Sequence, residues 1–350
     1  MEHDKLLPID PRYSRQILFS PIGESGQRKL NSAKAAIVGM GALGTVLANH
    51  MARAGVGYIR LIDRDFVETS NLQRQMLYDE QDAENYVPKA EAAAQRLRSV
   101  NSQVTIESNV IDLNSTNAEA LLGGVDVVLD GTDNFAVRFL INDTCVKLGI
   151  PWIYGGAVAS RGVALTIIPG QTPCLRCLFP QAPAPGTTET CDTAGVIGGI
   201  IHVVASFQAT EALKLLVGDS EHLNPGMQQW DLWFNQFSSI NVSSARKKNC
   251  PACARREFDY LNLTIEGSTI QTLCGRNSVQ INPVEAALFQ LDDWEARLKP
   301  LGFVERNRFL LRFHVNSELT MVLFPDGRAL IQGTNDPALA KSLYSRFIGM

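Results

Sequence analysis

Residues 37–44 read "IVGMGALG", and residues 61–75 read "LIDRDFVETSNLQRQ". The first stretch ends an apolar run, "AAIVG" (35–39), and leads into "TVLANHMARAG", a composition suited to a helix; "YIRLID" then reads as the next strand. Strand, turn, helix and strand make one βαβ unit. Gly39, Gly41 and Gly44 supply a G-x-G-x-x-G spacing between strand and helix. Glycine allows the tight turn and close approach of backbone to phosphate, and the helix N-terminus offers free N–H groups with a partial positive charge. Without a ligand the same pattern is only a tight turn, so the context of strand and helix carries the argument.

Working outward, "PKAEAAAQRLRSVN" is a second helix and "VTIESNV" a third strand. "VDVVLDGTDN" is a fourth strand ending in acidic residues, "AVRFLINDTCVKLG" a helix and "PWIYGGAV" a further strand. Strands alternating with helices predict a mostly parallel α/β sheet covered on both faces. Ligands of such sheets lie beyond the carboxyl ends of the strands, which here carry Gly39 to Gly44, Asp63, and Asp130 to Asn134. Past residue 155 come a strand, "GVALTIIPG", and a Pro-, Gly- and Thr-rich loop over 179–195. A long apolar helix closing at Gly218 follows, then strands within "MQQWDLWFNQFSSINV". From about residue 260 the sequence predicts short strands in "STIQTLCG" and "SVQI", a helix over 283–302 and three strands in "RFLLRFHV" and "LTMVLFPDGRALIQG". The hairpin turns at "PDG", and a closing helix follows Asp336. The expected organisation is a Rossmann-like domain with a cysteine-stapled extension over 1–258 and a small α+β domain of unassigned role over 259–350.

The chain has 350 residues, is 45% hydrophobic and 19% charged, and carries a net charge of −4. These values suit a globular protein and give no sign of a nucleic-acid or membrane surface. No apolar run is expected to reach transmembrane length, and the polar N-terminus lacks a secretory core, so a cytoplasmic location is expected.

Asp63 closes the second strand about 20 residues beyond the glycines, where an acid takes ribose hydroxyls. Taken alone it suggests NAD, but ATP has the same ribose. "ETSNLQRQ" favours the triphosphate. Arg74 can orient phosphate oxygens through its planar fork, Lys89 in "VPKAEAA" adds a second positive charge, and Asp133 could hold Mg²⁺ through water. Singly, Arg74 and Lys89 would read as solvated surface charges; the combination shifts the weight. An NAD-dependent oxidoreductase leaves "NLQRQ" unexplained, and no histidine offers an evident acid-base partner for it.

The order of "RYSRQ" (12–16), "GMGALG", "LIDRDFVETSNLQRQ", "PKAE", "DGTDN" (130–134), "CLRC", "TCDTAG" (190–195) and "CPAC" resembles the ThiF/MoeB family, adenylating enzymes akin to the core of ubiquitin-activating enzymes. The resemblance covers residues 8–255. It implies ATP-dependent adenylation of the C-terminal glycine of a ubiquitin-like sulfur carrier ending in Gly-Gly, for thiamine or molybdopterin synthesis. By motif, Gly39, Gly41, Ala42 and Gly44 cradle the nucleotide, and Asp63 holds the ribose with Asp65 beside it. Ser70, Asn71, Leu72, Gln73, Arg74 and Gln75 line the nucleotide, Arg74 and Lys89 bind phosphates, Asp133 manages Mg²⁺ and Asn134 borders the site. Arg15 matches an arginine that enters the neighbouring subunit's site, implying a homodimer; otherwise it is a surface arginine. Many members have glycine where this chain has Ala42. A cysteine desulfurase is the expected sulfur source. Adenylation of a peptide or a modified tRNA base is the alternative within the enzyme class, and a non-catalytic partner subunit lies outside it; the joint presence of Arg15, Arg74, Lys89 and Asp133 argues against the latter.

Seven cysteines are present. Cys174, Cys177, Cys250 and Cys253 form two C-x-x-C pairs, which read as one structural zinc site with all four positions filled by protein. A redox C-x-x-C is the competing reading. Cys191, on the 179–195 loop, is placed to meet an activated carboxyl terminus as thiolate, or else is a non-essential loop cysteine. Cys145 reads as core, Cys274 as structural and His202 as a core histidine. Trp230, Trp233 and Phe234 fill the core or a carrier-binding face.

Overall fold

A computed structural model describes residues 9–183, 189–263, 269–273, 277–283 and 289–349. The chain divides into two units, Met1–Asn262 and Leu263–Met350. Cys274 lies outside the described residues.

The first unit is built on strands β1 (Lys34–Val38), β2 (Tyr58–Ile62), β3 (Thr105–Asn109), β4 (Val127–Asp130), β5 (Trp152–Val158), β6 (Arg161–Ile167), β7 (Gly226–Asp231) and β8 (Gln236–Asn241). They form one sheet in the order β3-β2-β1-β4-β5-β6-β7-β8. The first five are parallel, and β6 to β8 continue antiparallel. Ala35, Ala36, Ile37 and Val38 of β1 are all buried, as a strand covered on both faces requires.

The helices of this unit are α1 (Ser14–Ile17), α2 (Gly23–Ser32), α3 (Ala42–Ala54), α4 (Glu80–Glu84), α5 (Lys89–Val100), α6 (Ala118–Leu122), α7 (Phe135–Leu148), α8 (Leu175–Leu178), α9 (Cys191–Ala194) and α10 (Gly198–Val217). On one face Leu47 and Met51 of α3, Leu97 of α5 and Val204 of α10 pack over Ile37 and Ile59. On the other, Phe139 and Ile141 of α7 pack with Val128, Trp152 and Cys145. Each such side chain contributes about 1.5–3 kcal/mol by leaving water. Helices α3 and α10 end on Gly55 and Gly218 in the left-handed conformation.

The expectation that no apolar run reaches membrane-spanning length needs correction. Helix α10, 20 residues at mean hydropathy 1.4, is long and apolar enough to cross a membrane. Half of it is buried inside the fold, and its Glu211 is fully buried, accepting from Thr166 Oγ1 at 3.0 Å and Asn224 N at 2.9 Å. It is a core helix of this unit.

The second unit is a six-stranded antiparallel sheet with helices α11 (Leu291–Leu298) and α12 (Pro337–Phe347). Its strands are β9 (Thr269–Leu273), β10 (Ser278–Asn282), β11 (Phe303–Arg306), β12 (Leu311–His314), β13 (Thr320–Leu323) and β14 (Ala329–Gln332), in the order β11-β12-β13-β14-β10-β9. Ile281, Phe313, Met321, Ile331 and Leu343 form its core. Asp336 caps α12 by accepting from Ala338 N at 2.8 Å. Of the helix expected over 283–302, residues 284–288 lie outside the described residues; Gln290 is extended, and α11 begins at Leu291. Strand β11, "FVER", is absent from the sequence expectation.

Candidate active site

In the sheet order β1 lies between β2 and β4, so the connections from β1 to β2 and from β3 to β4 run to opposite sides and open a crevice at the strands' carboxyl ends. Gly39 leaves β1 at φ +84°, and a Cβ there would stand 2.8 Å from Gly131 O. A Cβ on Gly44 would overlap the Gly39 carbonyl. Glycine at these two positions lets α3 start directly against the turn. Gly41 is the N-cap of α3 with no side-chain cap, leaving the first-turn amides of the helix for a ligand. Ala42 packs its methyl against the core, so the departure from glycine leaves the amide face clear.

The carboxylate of Asp63 accepts from Met40 N at 2.6 Å and Asp65 N at 2.7 Å. It therefore anchors the glycine turn itself, with one lone pair on each oxygen remaining for other donors. Burial pushes the Asp63 carboxyl up, and the nearby Lys89 charge draws it back. Lys89 opens α5 and is buried; its N–H donates to Asp65 O at 2.8 Å and its Nζ lies 3.3 Å from Asp65 Oδ2. Thus Asp65 holds the expected phosphate lysine.

In "ETSNLQRQ" Asn71 is buried and its Oδ1 accepts from Glu68 N at 3.1 Å, locking the short turn Thr69–Asn71. Ser70 and Gln73 are exposed, and Leu72 packs on the core. Half-buried Arg74 donates from Nη1 to Ser70 O at 2.8 Å. Gln75 is buried with no hydrogen-bond partner for its Oε1, and its Nε2 is the nearest atom, 3.8 Å, to a Cβ built on Gly41. A buried orphan acceptor beside an open glycine turn fits a polar ligand there.

Beyond β4, Asp130 is fully buried between Thr132 Oγ1 at 2.7 Å and Arg138 Nε at 3.2 Å. Burial pushes its carboxyl up and Arg138 opposes. Asn134 caps α7, accepting from Ala136 N at 2.8 Å. Asp133, between them, is exposed. It borders a cavity of about 460 Å³ shared with Arg138, Tyr154, Cys191 and Trp230. Arg138 was not singled out from sequence; it donates to Thr132 O at 2.7 Å and Gly155 O at 3.1 Å, tying β4 to β5 under this cavity.

Cys191 does not stand in open loop. It opens the one-turn helix α9, which Thr190 caps, and its Sγ lies 3.3 Å from Ala157 O. The same segment is held on the β5–β6 turn by Ala159 N to Gly195 O at 2.8 Å, and Arg161 pairs with Glu189. The fold thus brings Asp133 and Cys191, on separate elements, to one cavity.

Arg15 is not part of this cluster. Its neighbour Gln16 donates to Ala54 O at 2.9 Å, at the C-terminal end of α3. A 13-residue helix spans about 20 Å, so Arg15 stands a helix length from its own glycine turn.

The Sγ atoms of Cys174, Cys177, Cys250 and Cys253 all lie within 4.8 Å of one another, with contacts of 3.9, 3.6 and 3.5 Å. Four thiolates about 2.3 Å from a tetrahedral metal would be about 3.8 Å apart. The donor set and spacing fit a metal site. Hydrogen bonding from Cys174 lowers the Cys177 thiol below its ordinary range. Cys145 is fully buried in the core.

His202 is exposed, contrary to expectation, on the open side of α10. Trp230 is half-buried with its ring 5.4 Å from Phe207, whereas Trp233 and Phe234 are exposed and do not fill the core.

Comparison with known proteins matches residues 13–252 to the ThiF family. The chain is 46% identical over 339 residues to the sulfur carrier protein ThiS adenylyltransferase of Bacillus subtilis strain 168, covering 97% of this chain and 99% of that protein. It is 38% identical over 247 residues to the sulfur carrier protein adenylyltransferase of Thermus thermophilus, covering 69% of this chain and 90% of that protein. Among solved structures, Escherichia coli MccB with ATP superposes at a TM-score of 0.61 with 25% identity, covering 70% of this chain and 75% of that one.

Proposed function

The chain belongs to the ThiF family, and from that premise we propose how its site works: it adenylates the C-terminal glycine of a ubiquitin-like sulfur carrier with ATP. The observations that carry the reading are the glycine turn, tied through Tyr78 to Lys89, and the cavity beyond β4 that Asp133 shares with Cys191. The carrier carboxylate attacks the α-phosphorus of ATP. A new P–O bond forms, the bond to pyrophosphate breaks, and an acyl-adenylate remains. Such chemistry depends on positioning and on charge stabilisation. The α3 amides and Lys89 meet the phosphates, Arg74 orients them, and Asp63 takes the ribose through its remaining lone pairs. Asp133 would hold Mg²⁺, which supplies neutralisation of phosphate charge. Cys191 faces the same cavity, so its thiolate can attack the activated carbonyl and displace AMP.

The Cys₄ cluster would hold Zn²⁺, which would cross-link α8 to the segment around Cys250. Arg15 serves the site of a second copy, because its own glycine turn lies a helix length away; the working unit is a homodimer. A cysteine desulfurase upstream and a cytoplasmic location complete the reading.

The carrier is the thiamine-type one. The ThiS adenylyltransferase matches both units, whereas the Thermus thermophilus enzyme covers about two-thirds of the chain. ATP–pyrophosphate exchange with each carrier type in turn tests this. Exchange with the thiamine carrier is expected to dominate; dominance of the molybdopterin carrier overturns the assignment.

A further inference from the structure

We propose that Tyr78 is a positioning residue of the nucleotide site, whose hydroxyl braces the glycine turn against the first residue of α5 and thereby aims the Gly41 amide at the phosphates. It rests on ATP being the ligand of that turn.

The geometry is specific. Tyr78 is buried, and its hydroxyl lies 2.6 Å from Met40 O and 3.1 Å from Lys89 O. The Met40 carbonyl and the Gly41 N–H share one rigid peptide plane, and in a trans peptide they point in opposite directions. Drawing the carbonyl inward onto Tyr78 turns the Gly41 N–H outward, toward the side where a Cβ would meet nothing nearer than 3.8 Å. The preceding plane is held too, since the Met40 N–H donates to Asp63 at 2.6 Å. Both planes flanking the Met40 Cα are therefore fixed by side chains, one by buried Tyr78 and the other by half-buried Asp63.

The second contact extends the brace. Lys89 O belongs to the residue whose ammonium lies beside Asp65 and whose N–H is held by Asp65 O. One hydroxyl thus spans the two cationic elements expected at the phosphates, the α3 N-terminus and the α5 lysine. Its single proton goes to the shorter contact, Met40 O, and the Lys89 carbonyl receives the weaker share. Burial, with Asp63, Asp82 and Asp65 nearby, pushes the phenol well above its ordinary range, so it stays a donor. No motif marks the residue; it lies just past "NLQRQ" and is defined by its contacts.

Tyr78→Phe keeps the ring in the core and removes the hydroxyl. The expected result is a rise of roughly three- to tenfold in the KM for ATP, the worth of one lost hydrogen bond, with the KM for the carrier unchanged. A role in folding alone would lower Tm without separating the two KM values, so equal changes in both, or no change for ATP, overturn the brace. If wild type shows no ATP–pyrophosphate exchange with any carrier, the adenylation reading falls and this proposal with it; wild-type exchange with an unaffected variant removes the brace alone. Should the variant fail to fold, hydrogen exchange on the wild type decides. ATP with Mg²⁺ is expected to protect the peptides 37–45 and 76–90 together, and protection of only one contradicts the proposal.

Discussion

Lys89 is bonded to Asp65 twice, through its backbone N–H at 2.8 Å and through its ammonium at 3.3 Å, and the lysine is almost wholly buried. A buried ammonium needs such a partner. The pairing fixes the ammonium beside Asp65, so that in the proposed function it is in place before any phosphate arrives. Lys89→Met keeps the stem and removes the charge. ATP–pyrophosphate exchange should then fall by about 10²–10³-fold, the scale of losing one preorganised electrostatic contact. Thermal unfolding should show a folded protein. An unchanged exchange rate would remove Lys89 from the chemistry.

The distance between Arg15 and its own glycine turn leads to a complementation result. Arg15→Ala and Asp133→Ala should each lack exchange activity alone. Mixed and re-equilibrated, half of the dimers are hybrids, each with one site carrying both residues, and activity should recover to about a quarter of wild type. No recovery, with mixed dimers demonstrated, would place Arg15 outside the neighbour's site.

Asp143 couples the cysteine cluster to α7. Its Oδ2 accepts from Tyr260 N at 3.1 Å and lies 3.7 Å from Arg176, while the adjacent Asn142 accepts from Leu175 N at 2.8 Å. Burial raises its carboxyl to about 6, against the pull of Arg176, from an ordinary 3.8. Between these values the folded state binds more protons than the unfolded one, so this group's contribution to stability falls as pH rises from about 4 to about 6. Relative to Asp143→Asn, the wild type should lose on the order of 2 kcal/mol across that window and change little above it. Denaturant titrations of both proteins at several pH values measure the difference. A constant difference would mean that Asp143 titrates normally.

The cysteine cluster predicts one zinc per chain by elemental analysis. Removing the metal with a chelator, or replacing Cys250 by Ser, should lower Tm by several degrees or more, because metal-binding energy at such sites is folding energy. Full thermal stability with no bound metal would argue against a structural site.

How far the sequence revealed these features follows from how local they are. The glycine turn and Asp63 lie in one βαβ unit and Lys89 opens a helix soon after it, so local spacing and the motif resemblance brought them together. The two C-x-x-C pairs were legible because each pair is local and thiols have few other uses at that spacing. Asp133 and Cys191 share a cavity only because β5 and β6 return the chain beside β4, a tertiary effect without a sequence period. The Asp130–Arg138 pair had a faint signal: an arginine one turn into the helix that follows "DGTDN". Tyr78 had none. The sequence carries the helix through Gln290 because "PVEAALFQ" has helical composition, although Gln290 is extended. Strand β11 was missed because an edge strand of four residues, with Phe303 exposed, carries no apolar alternation.

The most direct test of the central claim is exchange of labelled pyrophosphate into ATP, with the thiamine-type carrier either intact or lacking its last glycine. The account predicts exchange with the intact carrier, dependence on Mg²⁺, and loss of exchange when the terminal glycine is removed. Exchange that is indifferent to the carrier's C-terminus would show that the activated carboxylate lies elsewhere and contradict the account.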